Sequence, residues 1–194
     1  MNRWSSWQSE AEAVGRILSR APSFDVDLRI SGAEFQRRQR AMIQALEAVG
    51  LDAAVVYSDE HYNGDVPYLG GNTNISIEPV AGVIGPNGFH LLAGLEGGYV
   101  AEQLASRSSA IVHKVEMLKL ADEDYPIDAE RVEDVIEQAA GRKPRTIGLL
   151  TPRAVLPVSF YTYLADYVGS AEHLVDAQEL YYRIKYEKSE AEMA

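Results

Sequence analysis

The sequence predicts an α/β domain of three layers, in which a mixed and mostly central β-sheet is flanked by helices. Short apolar runs rich in Val, Ile and Leu alternate with amphipathic stretches along the chain, and two of these runs are joined by a hairpin turn. Alternation of strands and helices is typical of parallel pairing, whereas a hairpin adds an antiparallel pair, so the predicted sheet is mixed. The 194 residues are enough for one such domain with an additional arm.

The first 30 residues are predicted to be a separate helical arm. Apolar residues recur there at steps of three and four, which is the pattern of one helical stripe: Trp4, Trp7, Ala11, Val14 and Leu18. The stretch APSFD at 21–25 interrupts the pattern. Two tryptophans on a short arm need a surface to cover them. That surface could belong to this domain, to a second subunit or to a domain outside this chain.

The α/β domain is predicted over residues 31–177, and its first helix over 31–50. Ser31 and Glu34 have the spacing of a capping box, and Gly50 is suited to a left-handed C-terminal cap. The buried face is predicted to consist of apolar residues at helical spacing, and three arginines are predicted to point largely outward. The predicted buried residues are Phe35, Met42, Ile43, Leu46 and Val49. The predicted outward arginines are Arg37, Arg38 and Arg40.

The later elements follow from the same patterns. Asn87–Gly88 is a favoured two-residue turn, which predicts a hairpin over 79–94. Residues 59–78 are polar and rich in turn residues, and this predicts a long loop with a short strand at most; such loops are often functional. The remaining predicted strands are 52–58, 110–115, 145–150 and 172–177, and the remaining predicted helices are 97–106, 128–140 and 157–168.

The last predicted element is a helix that begins near Gln178 and runs to residue 194 without a stop signal. No Gly, Asn or Pro closes it, and Glu190 and Glu192 lie where the helix dipole disfavours negative charge. The sequence therefore predicts an open-ended helix over residues 178–194.

Composition excludes several classes of protein. There is no Cys, so disulfides, thiolate metal sites and cysteine nucleophiles are excluded. The net charge is −11, and residues 116–137 carry −7 of it, which favours a solvated acidic stretch and argues against nucleic-acid binding. No apolar run approaches the length of a membrane span, and the N-terminus lacks the pattern of a secretory signal. These features predict a cytoplasmic protein that binds neither nucleic acid nor membrane.

The residues alone reveal no complete active site. The chain has no H-E-x-x-H, G-x-x-x-x-G-K-[ST], G-x-G-x-x-G or G-x-S-x-G motif. His90 and His113 fall in predicted strands, where a structural role is favoured. His61 lies in the long loop beside Asp59 and Glu60, and with Asp65 these groups could hold a metal ion, although a solvated loop is the favoured interpretation.

Three stretches resemble the N-terminal domain of the creatinase, prolidase and Xaa-Pro aminopeptidase family, the pita-bread metallopeptidases. They are EFQRRQRAMIQALEAVGLDAAVVYS at 34–58, GDVPYLGG at 64–71, and the set of RTIGLL, LVDA, RIK and KSEAE between 145 and 192. Gly70 stands where Thr is usual in the family. The order and spacing of these motifs carry the resemblance, which covers residues 31–194. It implies the three-layer fold of that family's N-terminal domain, with a ribonuclease H-like motif.

The resemblance also implies a function for the whole protein. Family members join such a domain to a C-terminal catalytic domain, so the resemblance implies that residues 178–194 are the start of the connecting helix into a catalytic domain absent from this chain. That domain binds two divalent metal ions (Mn, Co or Zn) and hydrolyses proline-containing peptides. Neither catalytic residues nor metal ligands can be assigned in this chain, so no cofactor is expected on it. The N-terminal domain is expected to support a homodimer and to cover the active-site mouth. Its covering element is predicted to be the loop 59–78, with His61, Tyr62, Asn63 and Tyr68.

Two alternatives remain open at this stage. The chain could be a stand-alone α/β module for dimerisation or interaction, without catalysis. It could also be the N-terminal domain of a creatinase-like C–N hydrolase or a lyase, because fold likeness does not separate these chemistries.

Overall fold

The structure is a computed structural model that describes residues 3–20, 29–71, 78–120 and 128–193. Its centre is a six-stranded sheet with the order β4-β3-β2-β1-β5-β6. The β1–β2 and β2–β3 pairs are antiparallel, and the other three pairs are parallel. The strands are β1 (Ala53–Ser58), β2 (Val80–Gly85), β3 (Gly88–Ala93), β4 (Ile111–Lys114), β5 (Ile147–Leu149) and β6 (Leu174–Asp176). The predicted mixed sheet is confirmed.

Helices cover both faces of this sheet, which confirms the three layers. Residues of β1 alternate between two cores: Val55 packs among residues of α5 and α6, and Val56 packs among residues of α2, α3, α4 and α7. Every residue of β1 is buried for this reason. In the described residues the helices are α1 (Arg3–Leu18), α2 (Gly32–Ala48), α3 (Asp65–Gly70), α4 (Leu95–Leu104), α5 (Val132–Ala140), α6 (Val158–Val168), α7 (Gln178–Tyr186) and α8 (Glu190–Met193).

Helix α2 follows its prediction except at Arg38 and Val49. The Ser31 hydroxyl accepts a hydrogen bond from the Glu34 backbone N–H, and Gly50 has φ 72°. Arg38 was predicted to point outward, but it is only 2% exposed. The prediction was wrong because opposite charges and aromatic rings, supplied by distant segments, compensate the buried guanidinium. Val49 was predicted to be buried, but it is 52% exposed, since it lies beyond the last helical turn.

Two local predictions are corrected between β1 and β3. The polar stretch after β1 contains helix α3, not only loop and strand; Pro67 fits there because the first helical turn needs no amide partner from it. The hairpin turn is Pro86–Asn87 and not Asn87–Gly88, because Gly85 pairs with Gly88. Pro86 suits the first turn position by its fixed φ, and Gly88 takes φ 107° after the turn. Residues 72–77 of the predicted loop lie outside the described residues.

The C-terminal helix is not continuous. It divides into α7 and α8, with Glu187, Lys188 and Ser189 between them. The backbone N–H of Ser189 donates to Glu192 Oε2 at 3.0 Å, and the Ser189 hydroxyl donates to the same oxygen at 3.2 Å. This Ser-x-x-Glu pair is half of a capping box, and it starts a new helix where an open-ended one was predicted.

Helix α1 carries the predicted tryptophan arm. Trp4 and Trp7 are 63% and 58% exposed, and their rings stack on each other at 5.3 Å. Val14, Ile17 and Leu18 are also exposed. The described residues of this chain therefore leave the apolar stripe largely uncovered. The predicted break at 21–25 lies outside the described residues.

Candidate functional site

The described part of the predicted covering loop, residues 59–71, lies against α7. Its first turn is fixed by Asp59, whose Oδ1 accepts hydrogen bonds from the backbone N–H groups of His61 and Tyr62 at 2.9 and 2.8 Å. This geometry is an Asx-type turn, in which a short side chain replaces a backbone acceptor. His61 and Asn63 are consequently held on the outside of the loop, where both are exposed.

The two tyrosines of the predicted site point inward, toward α7. The Tyr62 hydroxyl lies 2.9 Å from the Tyr182 hydroxyl, and the Tyr68 hydroxyl donates to the Ile184 carbonyl at 3.0 Å. Burial, followed by the contact with Tyr182, raises the pKa of Tyr62. Both tyrosines therefore stay neutral at physiological pH and attach the loop and α3 to α7. The four predicted residues thus divide into an exposed pair and an anchored pair.

A buried ion pair forms the centre of this contact. Asp65, at the start of α3, is 1% exposed, and its Oδ1 lies 2.5 Å from Lys185 Nζ on α7. The Thr151 hydroxyl lies 3.0 Å from the other carboxylate oxygen. The Tyr181 hydroxyl donates to the Asp65 carbonyl at 2.5 Å. A buried carboxylate needs such partners, because desolvation without them is expensive.

A second ion pair attaches α8 to α2. Arg38 donates to Glu34 Oε1 at 2.9 Å and to the Tyr68 carbonyl at 3.1 Å, and its Nη2 lies 3.1 Å from Glu192 Oε2. The guanidinium also lies over the Tyr68 ring, 4.1 Å from its centroid. Burial opposes ionisation of Glu192, but the Ser189 N–H and then Arg38 hold the pKa of its carboxyl below the usual value.

We name the residues of these two ion pairs, Asp65, Lys185, Arg38 and Glu192, the C-terminal anchor. Its charges are all paired with neighbours, and its polar groups hold helices together rather than face an open cleft. Within residues 3–20, 29–71, 78–120 and 128–193, no three His, Asp or Glu side chains are grouped to hold a metal ion. The anchor is therefore suited to positioning these helices.

The C-terminal anchor was not predicted from the sequence. Asp65 and Lys185 are separated by 120 residues, and nothing local indicates that they meet. Glu192 did carry a signal, because Ser189-x-x-Glu192 repeats the spacing that was used for Ser31 and Glu34. Lys185 and Glu192 both belong to the stretches that carry the family resemblance, and the structure gives each of them a structural role.

The departure at Gly70 also has a structural cause. A Cβ atom at Gly70 would lie 2.6 Å from Phe89 Cε1, and a Cβ at Gly82 would lie 2.2 Å from Phe89 Cζ. The buried Phe89 ring thus occupies the space that side chains at these two positions would need. A Thr at position 70 is incompatible with Phe89 in this orientation.

Comparison with known proteins supports the fold. No protein-family model and no curated protein sequence matches the chain. Among solved structures, it resembles the dipeptidase PepE from Mycobacterium ulcerans (TM-score 0.60, 20% identity), the prolidase from Pyrococcus horikoshii OT3 (0.55, 15%) and the Xaa-Pro dipeptidase from Bacillus anthracis (0.55, 12%). The matches cover 85%, 81% and 82% of this chain.

The same matches cover only 40%, 37% and 38% of the three solved chains. The chain therefore spans about two fifths of the length of each of these three proteins. At these identities the likeness shows the fold, which agrees with the fold that the sequence motifs implied. No described helix has the length and apolar character that crossing a membrane requires.

Proposed function

We propose that this chain is the non-catalytic N-terminal domain of a metal-dependent Xaa-Pro peptidase or prolidase-like hydrolase. Its role there is to contribute to a homodimer and to cover the mouth of an active site that a following catalytic domain supplies. The two divalent ions and the proline-containing substrate belong to that domain in this proposal. The fold likeness to Xaa-Pro dipeptidases and the positions of the family motifs support it.

The observation that carries the proposal is the C-terminal anchor. It fixes α7 and α8 on the domain through Asp65 and Arg38. Tyr62 contacts Tyr182 of α7, so the loop with the exposed His61 and Asn63 lies beside that helix. A domain that follows α8 would therefore lie next to this loop. Imidazole and amide groups can hydrogen-bond a peptide, which is what a covering element needs.

The location that we propose remains cytoplasmic, for which the absence of cysteine is the supporting observation. The dimer that we propose could use α1. Its exposed tryptophans are the kind of side chain that interfaces bury, and they lie on the arm that the family pattern does not include.

The exposed tryptophans of α1 also favour the second candidate function, a stand-alone interaction module. Association alone does not separate the two candidates, because both allow a dimer. They differ in whether a catalytic domain follows α8 in the same polypeptide.

The first experiment tests the non-catalytic assignment on the purified chain. We expect no hydrolysis of Xaa-Pro dipeptides after addition of Mn²⁺, Co²⁺ or Zn²⁺, because the described residues contain no group of three His, Asp or Glu side chains that could hold a metal ion. Robust metal-dependent turnover would overturn the assignment.

The second experiment tests the covering role in the complete enzyme. We expect His61→Ala and Asn63→Ala to change KM or kcat for Xaa-Pro substrates while leaving the unfolding temperature unchanged, since both side chains are exposed. His173→Ala, an exposed histidine beside β6, is the matched control. Kinetics of both loop variants identical to the wild type would contradict the covering role.

A further inference from the structure

An apolar groove lies at the end of the sheet where β2 turns into β3. The C-terminal half of α2 forms one wall, and the β2–β3 turn with the end of α5 forms the other. Its volume is about 440 Å³, which lies in the range of pockets that bury a small organic molecule. Among the described residues the groove is open to solvent. Its apolar lining consists of Ile43, Leu46, Leu51, Pro86 and Ala140.

Two charged side chains at this groove suit an aromatic ring that carries an N–H group. Glu47 is exposed, and its carboxylate can accept a hydrogen bond. Arg142 pairs with Asp52, but 72% of its side chain stays exposed, so its guanidinium can also lie over a ring. A buried indole needs an acceptor for its N–H, and its face is the best aromatic partner for a cation. The walls and the two charges together favour a tryptophan side chain as the occupant.

The chain has two tryptophans, and both lie on the uncovered stripe of α1. Trp4 and Trp7 form a stacked pair, and more than half of each side chain is exposed. Helix α1 has 16 residues and is about 24 Å long, and the stripe continues to the exposed Leu18 at its end. The described residues therefore cover neither the tryptophans nor the groove. Each of these two surfaces lacks a partner that the other can supply.

Two copies of the chain can cover both surfaces at once. In a pair with two-fold symmetry, each arm enters the groove of the other copy, so every contact occurs twice. About 100–150 Å² of each tryptophan is still exposed, and four tryptophans with an equal area covered in return bury about 800–1,200 Å². Ile17 and Leu18 on the arm, and Val49 beside the groove, are exposed and add to this area. The total reaches the size of about 1,000 Å² that a specific dimer needs.

We propose that α1 is an exchange arm, which places Trp4 and Trp7 in the groove of a second copy of this chain. Glu47 accepts a hydrogen bond from an indole N–H, and Arg142 lies over an indole face. The second copy thus contributes the side chains that fill the groove, which is complete only in the dimer. The arm contact rests on the homodimer of the proposed function, because it names the surface through which that dimer forms.

Tryptophan fluorescence reports on the arm directly, because the chain has no tryptophan outside α1. We expect the emission maximum of the purified chain to move to shorter wavelength as the protein concentration rises, in step with dimer formation measured by sedimentation equilibrium. Emission that does not change when the dimer forms would overturn the arm contact, since the tryptophans would then lie outside the interface or be buried within one chain.

Variants on each side of the contact test the two partners separately. Trp4→Ser combined with Trp7→Ser removes both rings, and Ile43→Lys places a charge in the half-buried groove wall. Each should weaken the dimer about 30-fold or more, as expected for central aromatic contacts. Glu47→Lys, at an exposed position where folding is not at risk, should weaken it about tenfold. Val158→Ser removes an exposed apolar side chain on α6, outside both surfaces, and should leave the dissociation constant unchanged.

A mixture of two variants distinguishes exchange between copies from docking within one chain. The double tryptophan variant keeps an intact groove and has no tryptophan emission, whereas Ile43→Lys keeps an intact arm and has a blocked groove. We expect the mixture to associate more tightly than either variant alone, with emission at shorter wavelength from the arm of Ile43→Lys. A mixture that shows no such shift would overturn the exchange.

The remaining outcomes separate the arm contact from the proposed function. A dimer that keeps its dissociation constant in the double tryptophan variant, Ile43→Lys and Glu47→Lys would overturn the arm contact and leave the proposed homodimer standing. A wild-type chain that stays monomeric at all concentrations would contradict both the arm contact and the homodimer. The covering role would still be decided by the kinetics of His61→Ala and Asn63→Ala.

Discussion

Replacement of Lys185 by Met tests the C-terminal anchor most sharply. Met fills much of the space of the lysine stem but removes the charge that lies 2.5 Å from Asp65 Oδ1. Asp65 is 1% exposed, so its carboxylate would remain buried with the Thr151 hydroxyl as its main side-chain partner. Loss of one partner from a buried ion pair costs about 3–5 kcal/mol. The Lys185 side chain is 21% exposed, which places the expected cost near the lower end, about 3 kcal/mol.

The measurement is urea unfolding followed by circular dichroism, with the m-value checked for constancy. The matched control is Arg183→Met in the same Arg-x-Ile-Lys motif. Arg183 pairs with Glu179, but both side chains are about 70% exposed, at 71% and 69%, so the control should cost about 0.5 kcal/mol or less. The double variant Asp65→Asn, Lys185→Met should cost less than the sum of its single variants. A loss below about 1 kcal/mol for Lys185→Met would refute the assignment of a stabilising buried pair.

Three further outcomes are expected. The hydrogen bond from Arg37 holds the pKa of Glu34 at about 2 against burial, so the ionised carboxylate stabilises the fold fully above pH 4.5 and this stabilisation is lost as the pH falls toward 2. In urea unfolding, Glu34→Gln should therefore remove about 1–3 kcal/mol of the pH-dependent free energy of unfolding. An unchanged pH profile would contradict this. Gly70→Thr should destabilise by about 1–3 kcal/mol through the clash with Phe89, and Phe89→Leu should relieve part of this loss; additive losses in thermal unfolding would count against the clash. Glu192→Gln should cost about 1–2 kcal/mol and reduce amide protection of α8 in hydrogen exchange, whereas unchanged protection would show that the Glu192 contacts do not hold α8.

The sequence was sufficient for the layers and most elements because their signals are local. Val-rich runs such as the one containing Val55 gave the buried strands, and Ser31 with Glu34 gave the start of α2. The predicted hairpin turn was wrong because two overlapping residue pairs both favour a turn. Asn87–Gly88 favoured one turn, but Pro86 placed the turn one residue earlier.

The site was less predictable because it is built from distant partners. Arg38 looked like a surface residue, since its buried partners, Tyr68 and Glu192, come from segments 30 and 154 residues away along the chain. His90 and His113 were correctly placed in strands, but the contact between their ring nitrogens at 2.9 Å depends on the β3–β4 register, which the sequence does not state. The structure gives the positions of the predicted covering residues. Their role in covering a substrate stays a prediction.

The coding sequence that follows the codon of Ala194 is the most direct test of the central proposal, that this domain serves a metal-dependent peptidase. We expect the reading frame to continue into a catalytic domain with the metal ligands that the family resemblance implies, which are Asp, Asp, His, Glu and Glu. A stop codon immediately after Ala194 would contradict that expectation and favour the stand-alone interaction module.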